Sequence, residues 1–272
     1  MRNQMTLGAI AMSFAGWAAL HASASAIINN VGLDANQNVT SVTLDGQVIL
    51  VADLIRVSDV TEASCQSILV SDGGSVPVAG SRASVIDGDD SLTTGLANLS
   101  TIPNTTRLQF ASPVTNGPGG DIILFEFGTT TGASDEYWRL TTKGGGSVDI
   151  DVEDAANGYI TAGYNFDIYL GSPLPSTLAQ LESGGTTFSL LNGGLDGYRV
   201  SAILIDLSDL GYAPGESITT LGVASGENQV SNGQPSNGAR ADLVAAYGVP
   251  VPEPATIGLL GLGGLLLLSS RR

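Results

Sequence analysis

Asp121-Ile122-Ile123-Leu124-Phe125-Glu126-Phe127 is the stretch that decides the fold. A strand with one wet face alternates polar and apolar side chains, and this one is apolar almost throughout, so it reads as a central strand covered on both faces. The same texture extends outward from it. Short β-branched runs bounded by Gly, Asn, Asp and Pro predict strands at 41–44, 48–57, 67–70, 106–112, 137–142, 147–152, 164–170, 186–190, 198–206 and 218–223. Lys143-Gly144-Gly145-Gly146 and Gly193-Gly194 are turn signals. Residues 172–183 suggest one or two helical turns after Pro175, 224–238 a polar loop or linker, and 239–248 a final strand or turn. No fixed-period repeat is present. The expected fold class is all-β: a single jelly-roll-like β-sandwich over 27–223, then a polar linker and short final element over 224–250.

The two ends carry targeting chemistry. Residues 1–26 hold a basic Arg2, an apolar stretch at 7–20 and Ala24-Ser25-Ala26 before Ile27, the pattern of a secretory signal peptide cleaved after Ala26 by signal peptidase. The single histidine, His21, lies inside that segment. A mature chain from Ile27 therefore has no Ser-His-Asp triad, no histidine base and no imidazole-ligated zinc. Cys65 is the only cysteine, so no intramolecular disulfide forms on the export route, and it reads as a small buried hydrophobe, with intermolecular pairing or lipidation as the alternatives.

At the other end stand Val251-Pro252-Glu253-Pro254, an uncharged apolar run over 255–268, and Ser269-Ser270-Arg271-Arg272. The two prolines keep that turn extended and outside any helix or sheet interior. The 14-residue run is short of the roughly 20 residues of a comfortable span, but snorkelling arginine stems extend it into a short transmembrane helix. By the positive-inside rule Arg271 and Arg272 stay cytoplasmic and leave 27–250 on the outer side.

In order and spacing, residues 251–272 resemble the bacterial PEP-CTERM sorting signal. The resemblance implies recognition of Val251, Pro252, Glu253 and Pro254 by a membrane protease-transpeptidase, exosortase, with transient inner-membrane insertion and cleavage near the Pro-Glu-Pro. It also implies release to the cell surface or exopolysaccharide matrix of a Gram-negative, biofilm-forming bacterium. A second resemblance covers residues 85–225. The run from Ala111 through the Gly-rich loop to Glu126, with Val200 to Gly211 and Pro214-Gly215-Glu216-Ser217-Ile218, is similar to discoidin-like, galactose-binding-type jelly rolls. There a glycine-rich loop delivers an Asp into a buried central strand. The paired cysteines and aromatic loop spikes of some members of that family are missing, and the fold hosts many functions.

All 26 acidic residues follow Ile27, against seven basic ones from Arg56 to Arg240. Such a body repels nucleic acid and suits divalent cations or plain solubility. Asp149-Ile150-Asp151-Val152-Glu153 alternates, so its carboxylates share one strand face, either a solvated face, a calcium site or, least of all, a glycosidase-like acid pair. Asp87-Gly88-Asp89-Asp90 looks like part of an oxygen-rich calcium loop or an ordinary turn, and Asp34-Ala35-Asn36-Gln37-Asn38 is a fainter version. None of these segments by itself specifies a metal site, and calcium is the one cofactor these residues would suit. Trp138 is either a sugar-stacking platform or core. The expectation is a non-enzymatic structural or adhesive surface protein, possible ligand an extracellular polysaccharide. The alternatives are a calcium-dependent carbohydrate-binding module and a carboxylate-based glycan hydrolase.

Overall fold

The computed structural model describes residues 27–61, 65–70, 90, 92, 94–99, 105–128, 137–151, 158–172, 187–226, 230–231, 234–235 and 242–251. The expected signal peptide, the helical turns expected at 173–183 and everything from Pro252 onward lie outside these residues. Among the described residues no helix is long and apolar enough to cross a membrane.

The chain begins with a small sheet of three strands, β1 (Ile28–Leu33), β2 (Val39–Leu44) and β3 (Gln47–Leu50). Asp45 and Gly46 join β2 to β3 with φ of 48° and 80°. Two left-handed residues make the tight hairpin turn whose twist matches its strands, and Asp-Gly is the dipeptide that tolerates it. A 3-10 turn at Val51–Asp53 follows, so the single strand expected at 48–57 is really β3 and a separate β4 (Ile55–Thr61). The break lets the chain leave one sheet for the other, with Leu54 turned into the core at 6% exposure.

The main sheet is built from β4 together with β5 (Cys65–Val70), β6 (Thr94–Leu99), β7 (Thr106–Thr115), β8 (Ile122–Gly128), β9 (Tyr137–Thr141), β10 (Ser147–Asp151), β11 (Gly158–Ser172), β12 (Thr187–Ile205), β13 (Ser217–Ser225) and β16 (Leu243–Gly248). Two short pieces, β14 (Val230–Ser231) and β15 (Gln234–Pro235), pair only with each other. Each strand pairing among the described residues is antiparallel. The order is β10-β9-β13-β7-β4-β16-β6-β5-β11-β12-β8, and β8 then returns to pair with β16. The sheet therefore curls: β16, β6, β5, β11, β12 and β8 close on themselves, and β4, β7, β13, β9 and β10 extend from the junction. The all-β expectation holds.

β8 explains why its sequence lacks alternation. Phe125 and Phe127 point to one face, where Phe125 meets Tyr247 edge-on at 6.0 Å and Phe127 meets Phe166 at 4.2 Å. Glu126 points to the other, where its Oε2 accepts the indole N–H of Trp138 at 2.8 Å. One face is covered by strands of the closed circuit and the other by β9, so both are dry. Trp138 is fully buried, which removes the sugar-platform reading and leaves the core one.

The final element expected at 239–248 is β16, and it stands at the centre of the sheet rather than beyond it. One edge pairs with β8; the other meets β6 at Leu243 and β4 at Tyr247 and Gly248. All six of its residues are buried. Gly248 is forced by packing, since a Cβ there would sit 2.3 Å from Val114 Cγ2.

Gly193-Gly194 is not the turn its composition suggests. β12 runs straight through it, and the strands expected at 186–190 and 198–206 are one. The register against β11 jumps from Ile168↔Asn192 to Phe166↔Leu195, which inserts one extra residue as a bulge. Gly194 takes φ 65°, and its N–H donates to Asp167 Oδ1 at 2.9 Å. A local turn signal has been absorbed by a long-range bond. Lys143–Gly146 does turn, closing the β9–β10 hairpin with Thr142 N–H donating to Gly146 O at 2.9 Å.

Trp138→Phe keeps an aromatic ring but deletes both the donor to Glu126 and the volume of the pyrrole ring, so it is expected to cost at least about 2 kcal/mol in urea unfolding. A change under about 0.5 kcal/mol would mean the buried bond contributes no more than a surface contact.

Candidate functional site

The loop 116–121, between β7 and β8, gathers three distant parts of the chain. Asn116 is buried, and its Nδ2 donates to Ser208 Oγ at 3.1 Å and to Tyr212 O at 2.7 Å. Its backbone pairs with the same turn, Asn116 N–H donating to Glu216 O at 2.7 Å and Gly215 N–H to Asn116 O at 2.8 Å. Asp121 is equally buried. Its Oδ1 accepts Gly117 N–H at 2.8 Å and its Oδ2 accepts Leu207 N–H at 2.9 Å. The carbonyl of Asp121 takes Val249 N–H at 2.7 Å, which ties down the chain immediately after β16.

Two glycines permit this closeness. A Cβ at Gly120 would lie 2.1 Å from Leu204 Cγ, and one at Gly117 would lie 2.8 Å from Val251 Cγ2. Val251, the first residue of the Val-Pro-Glu-Pro motif, is thus half-buried against the Gly-rich loop. Beside it a groove of about 380 Å³ is lined by Val48 and Ile49 of β3, by Asp45, and by Pro118, Val249 and Pro250. The turn at Asp45 also holds the other end of the body. Ile27 N–H donates to Asp45 Oδ1 at 2.9 Å, and Asp45 N–H donates to Ile27 O at 3.1 Å.

Charge at this end is uneven. Burial pushes the Asp121 carboxyl up to about 6; the N–H groups of Gly117 and Leu207 oppose this, and the negative charge of Asp206 adds to it. Asp209 is raised too, by burial and then by Asp206. Glu216 is lowered, by the hydrogen bond from Lys143 and then by Ala213 N–H. Lys143, the only lysine, reaches both Glu216 oxygens at 2.6 and 2.7 Å and so fastens the 207–216 turn to the β9–β10 hairpin.

The other carboxylates singled out in the sequence behave differently. Asp149 sits opposite Arg139 across the β9–β10 hairpin and is gripped by it at 2.5 and 2.6 Å, so it belongs to a cross-strand ion pair rather than to a line of exposed carboxylates. Asp151 pairs with Tyr137 in the same ladder. Asp90 receives Arg56 at 3.1 and 2.6 Å and the Tyr247 hydroxyl at 3.2 Å. Its loop meets the Asp34–Asn38 turn, with Val39 N–H donating to Asp90 O at 2.6 Å and Leu92 N–H to Gln37 O at 3.1 Å. Asp90 is therefore a neighbour of the Asp34–Asn38 turn. The Asp34 oxygens are already taken by Asn36 N–H, Asn38 N–H and Asn38 Nδ2. Among the described residues no group of three or more His, Cys, Asp or Glu is placed to hold a metal ion. Asp87, Asp89, Glu153, Ala24, Ala26, Pro252, Glu253, Pro254, Arg271 and Arg272 lie outside the described residues.

Asp121 is legible in the sequence as the residue that opens β8, whereas the roles of Asn116 and of the Ile27–Asp45 pair emerge only from the structure. Asp45-Gly46 is a standard hairpin dipeptide and was the available signal for the last.

Two consequences are measurable. Asp121 has a folded-state pKa near 6 against an unfolded 3.8, so the folded chain holds a proton the unfolded chain releases. Its contribution to stability is greatest below the unfolded value and is lost as pH rises toward 6, and Asp209 acts in the same direction. The melting temperature is expected to climb as pH falls from 7 toward 5, and Asp121→Asn to flatten that climb; an unchanged slope in the variant would assign it elsewhere. Separately, Gly117→Ala is expected to displace Val251 and speed protease cutting around 250–254 while the melting temperature stays near that of the parent. Equal cutting rates would mean that Val251 is not held by this contact.

The comparisons with known proteins bear on one end of the chain. Neither the curated proteins nor the solved structures gave a match. Residues 250–272 match the PEP-CTERM protein-sorting motif, a signal for export and for processing by an exosortase in Gram-negative bacteria. The chain carries that motif beginning two residues after its last described strand, β16, ends at Gly248.

Proposed function

We propose that this is a secreted, exosortase-processed protein of the cell surface or exopolysaccharide matrix, structural or adhesive and non-enzymatic. In this reading the 255–268 run holds the exported chain in the inner membrane until exosortase cuts near Pro252-Glu253-Pro254. The single observation that carries it is the direct join between body and tail: β16 ends at Gly248, Val251 packs on Gly117, and the matched motif starts at Pro250. In this reading the tail is an appendage that a protease removes without opening the fold, since the last described strand, β16, is complete at Gly248, ahead of the Pro-Glu-Pro.

At the other end, signal peptidase cleaves after Ala26. The Ile27 nitrogen then becomes an ammonium group at the position from which it already donates to Asp45 Oδ1 at 2.9 Å. A hydrogen bond from a neutral amide to the Asp45 carboxylate becomes an ion pair with an ammonium group, so processing tightens the body at its new terminus.

An adhesive role is supported by the β11–β12 ribbon. Leu170, Leu190 and Leu191 are 42%, 57% and 60% exposed there, on a chain of net charge −16. The jelly-roll-like reading of the body is supported by its uniformly antiparallel pairing. The hydrolase and calcium-module readings need free carboxylates, whereas Asp90 and Asp149 are both held by arginines.

Processing is tested by intact-mass analysis and cell fractionation in a host with an exosortase. The parent is expected to start at Ile27, to be shortened near residues 252–254 and to reach the surface or matrix fraction. Glu253→Ala is expected to keep its tail and remain with the membrane. A Glu253→Ala chain that is shortened and released like the parent would contradict the reading.

A further inference from the structure

The chain's two exits lie at one end of the body. Asp45 bonds Ile27, where the mature chain starts, and also lines the groove formed with Val249 and Pro250, where the tail departs. From Val251 to Ala255, the first residue of the uncharged run, are four Cα steps, at most about 14 Å of fully extended chain. A headgroup layer takes roughly 5–8 Å of that. Once the run is in a bilayer, this end of the body is held within about 6–9 Å of the surface.

The side chains presented there fit such a position. Val48 and Leu50 are two residues apart on β3, so they share a face, and they are 61% and 57% exposed. Ile27 is 45% exposed. Strand β3, Gln-Val-Ile-Leu, has no charged residue, and its second edge has no partner among the described residues. Large apolar side chains left in water on an anionic body are costly there and are stabilised at a headgroup boundary. The carboxylates near them, Asp45 and Asp53, sit on the rim of the groove, and the Ile27 ammonium neutralises the first of them after signal cleavage.

From this geometry we infer that the end bearing the β2–β3 hairpin, with Val48 and Leu50 outermost, is the face laid against the phospholipid surface before the tail is cut. This deepens the proposed function, because it takes the insertion of the 255–268 run as given. Release would then return these side chains to water and free the face for whatever the matrix offers.

Tryptophan reporters test it on the chain from Ile27 to Arg272, made in a host without exosortase and reconstituted into phosphatidylethanolamine–phosphatidylglycerol vesicles that contain brominated lipid. Trp138 is buried in the core and supplies the background signal in the parent. Val48→Trp is compared with Ala35→Trp, which lies in the turn at the far end of the six-residue strand β2, about 20 Å away. Both positions are exposed, and Leu50→Trp repeats the measurement from a second site on the same face. The expected result is co-flotation of every variant, with severalfold greater quenching at 48 and 50 than at 35. Co-flotation with equal quenching at all three positions overturns the inference and leaves the tail reading standing. Failure to float overturns the tail reading, and this inference falls with it.

Discussion

The structure depends on one constraint: β8 is buried on both faces and hydrogen-bonded on both edges, so it needs a partner on each side before it can leave water. β12 supplies one edge, and β16 supplies the other. An unpaired edge in that position would expose a row of backbone donors and acceptors inside the core, at a cost comparable to several lost hydrogen bonds. The last described strand is thus the piece that completes the core. A chain of this design cannot finish folding until residues 243–248 have been delivered, and the sorting motif begins two residues later.

That order connects fold to handling. The same loop that opens β8 also anchors the exit, because Asp121 holds Gly117, Leu207 and Val249 together, and Gly117 makes room for Val251. A linker would decouple body from tail; here they are joined without one. Cleavage near the Pro-Glu-Pro has to occur close to a folded surface, and the chemistry of that surface becomes part of how the substrate is presented. Asp121 adds a pH term to the same clasp, since protonation of its carboxyl weakens the hydrogen bonds that gather the loop while relieving the burial of charge.

Much of this was legible in the sequence, for physical reasons that differ by element. β8 was readable because double burial demands an unbroken apolar run. The β9–β10 hairpin was readable because Lys143–Gly146 is chemically a turn, and its length sets the register that puts Arg139 opposite Asp149. The ion pair could have been derived from that register; considering Asp149 only with Asp151 and Glu153 hid it. β1 was missed because Asn29, Asn30 and Gly32 dilute its pattern, and the strand is held by pairing with β2 rather than by propensity. β16 was placed at the margin because Ala245, Ala246 and Gly248 are poor strand formers. Gly248 is small because Val114 and Ile55 leave no room for a Cβ. Gly193-Gly194 misled because the bond that straightens it comes from Asp167 on another strand. The sorting tail was the most legible feature of all, since its chemistry is local, whereas the clasp that presents it is assembled from three separate segments.

The central claim is that β16 is the closing strand of the folded body and that the body does not need the sorting tail to hold it. Thermal unfolding of two truncated chains tests it directly. A chain ending at Val251 is expected to unfold cooperatively at the temperature of the chain that keeps residues 252–272, and one ending at residue 241 to show no cooperative transition. A cooperative transition at the parental temperature in the chain without β16, or loss of the transition on removing only 252–272, would contradict the account.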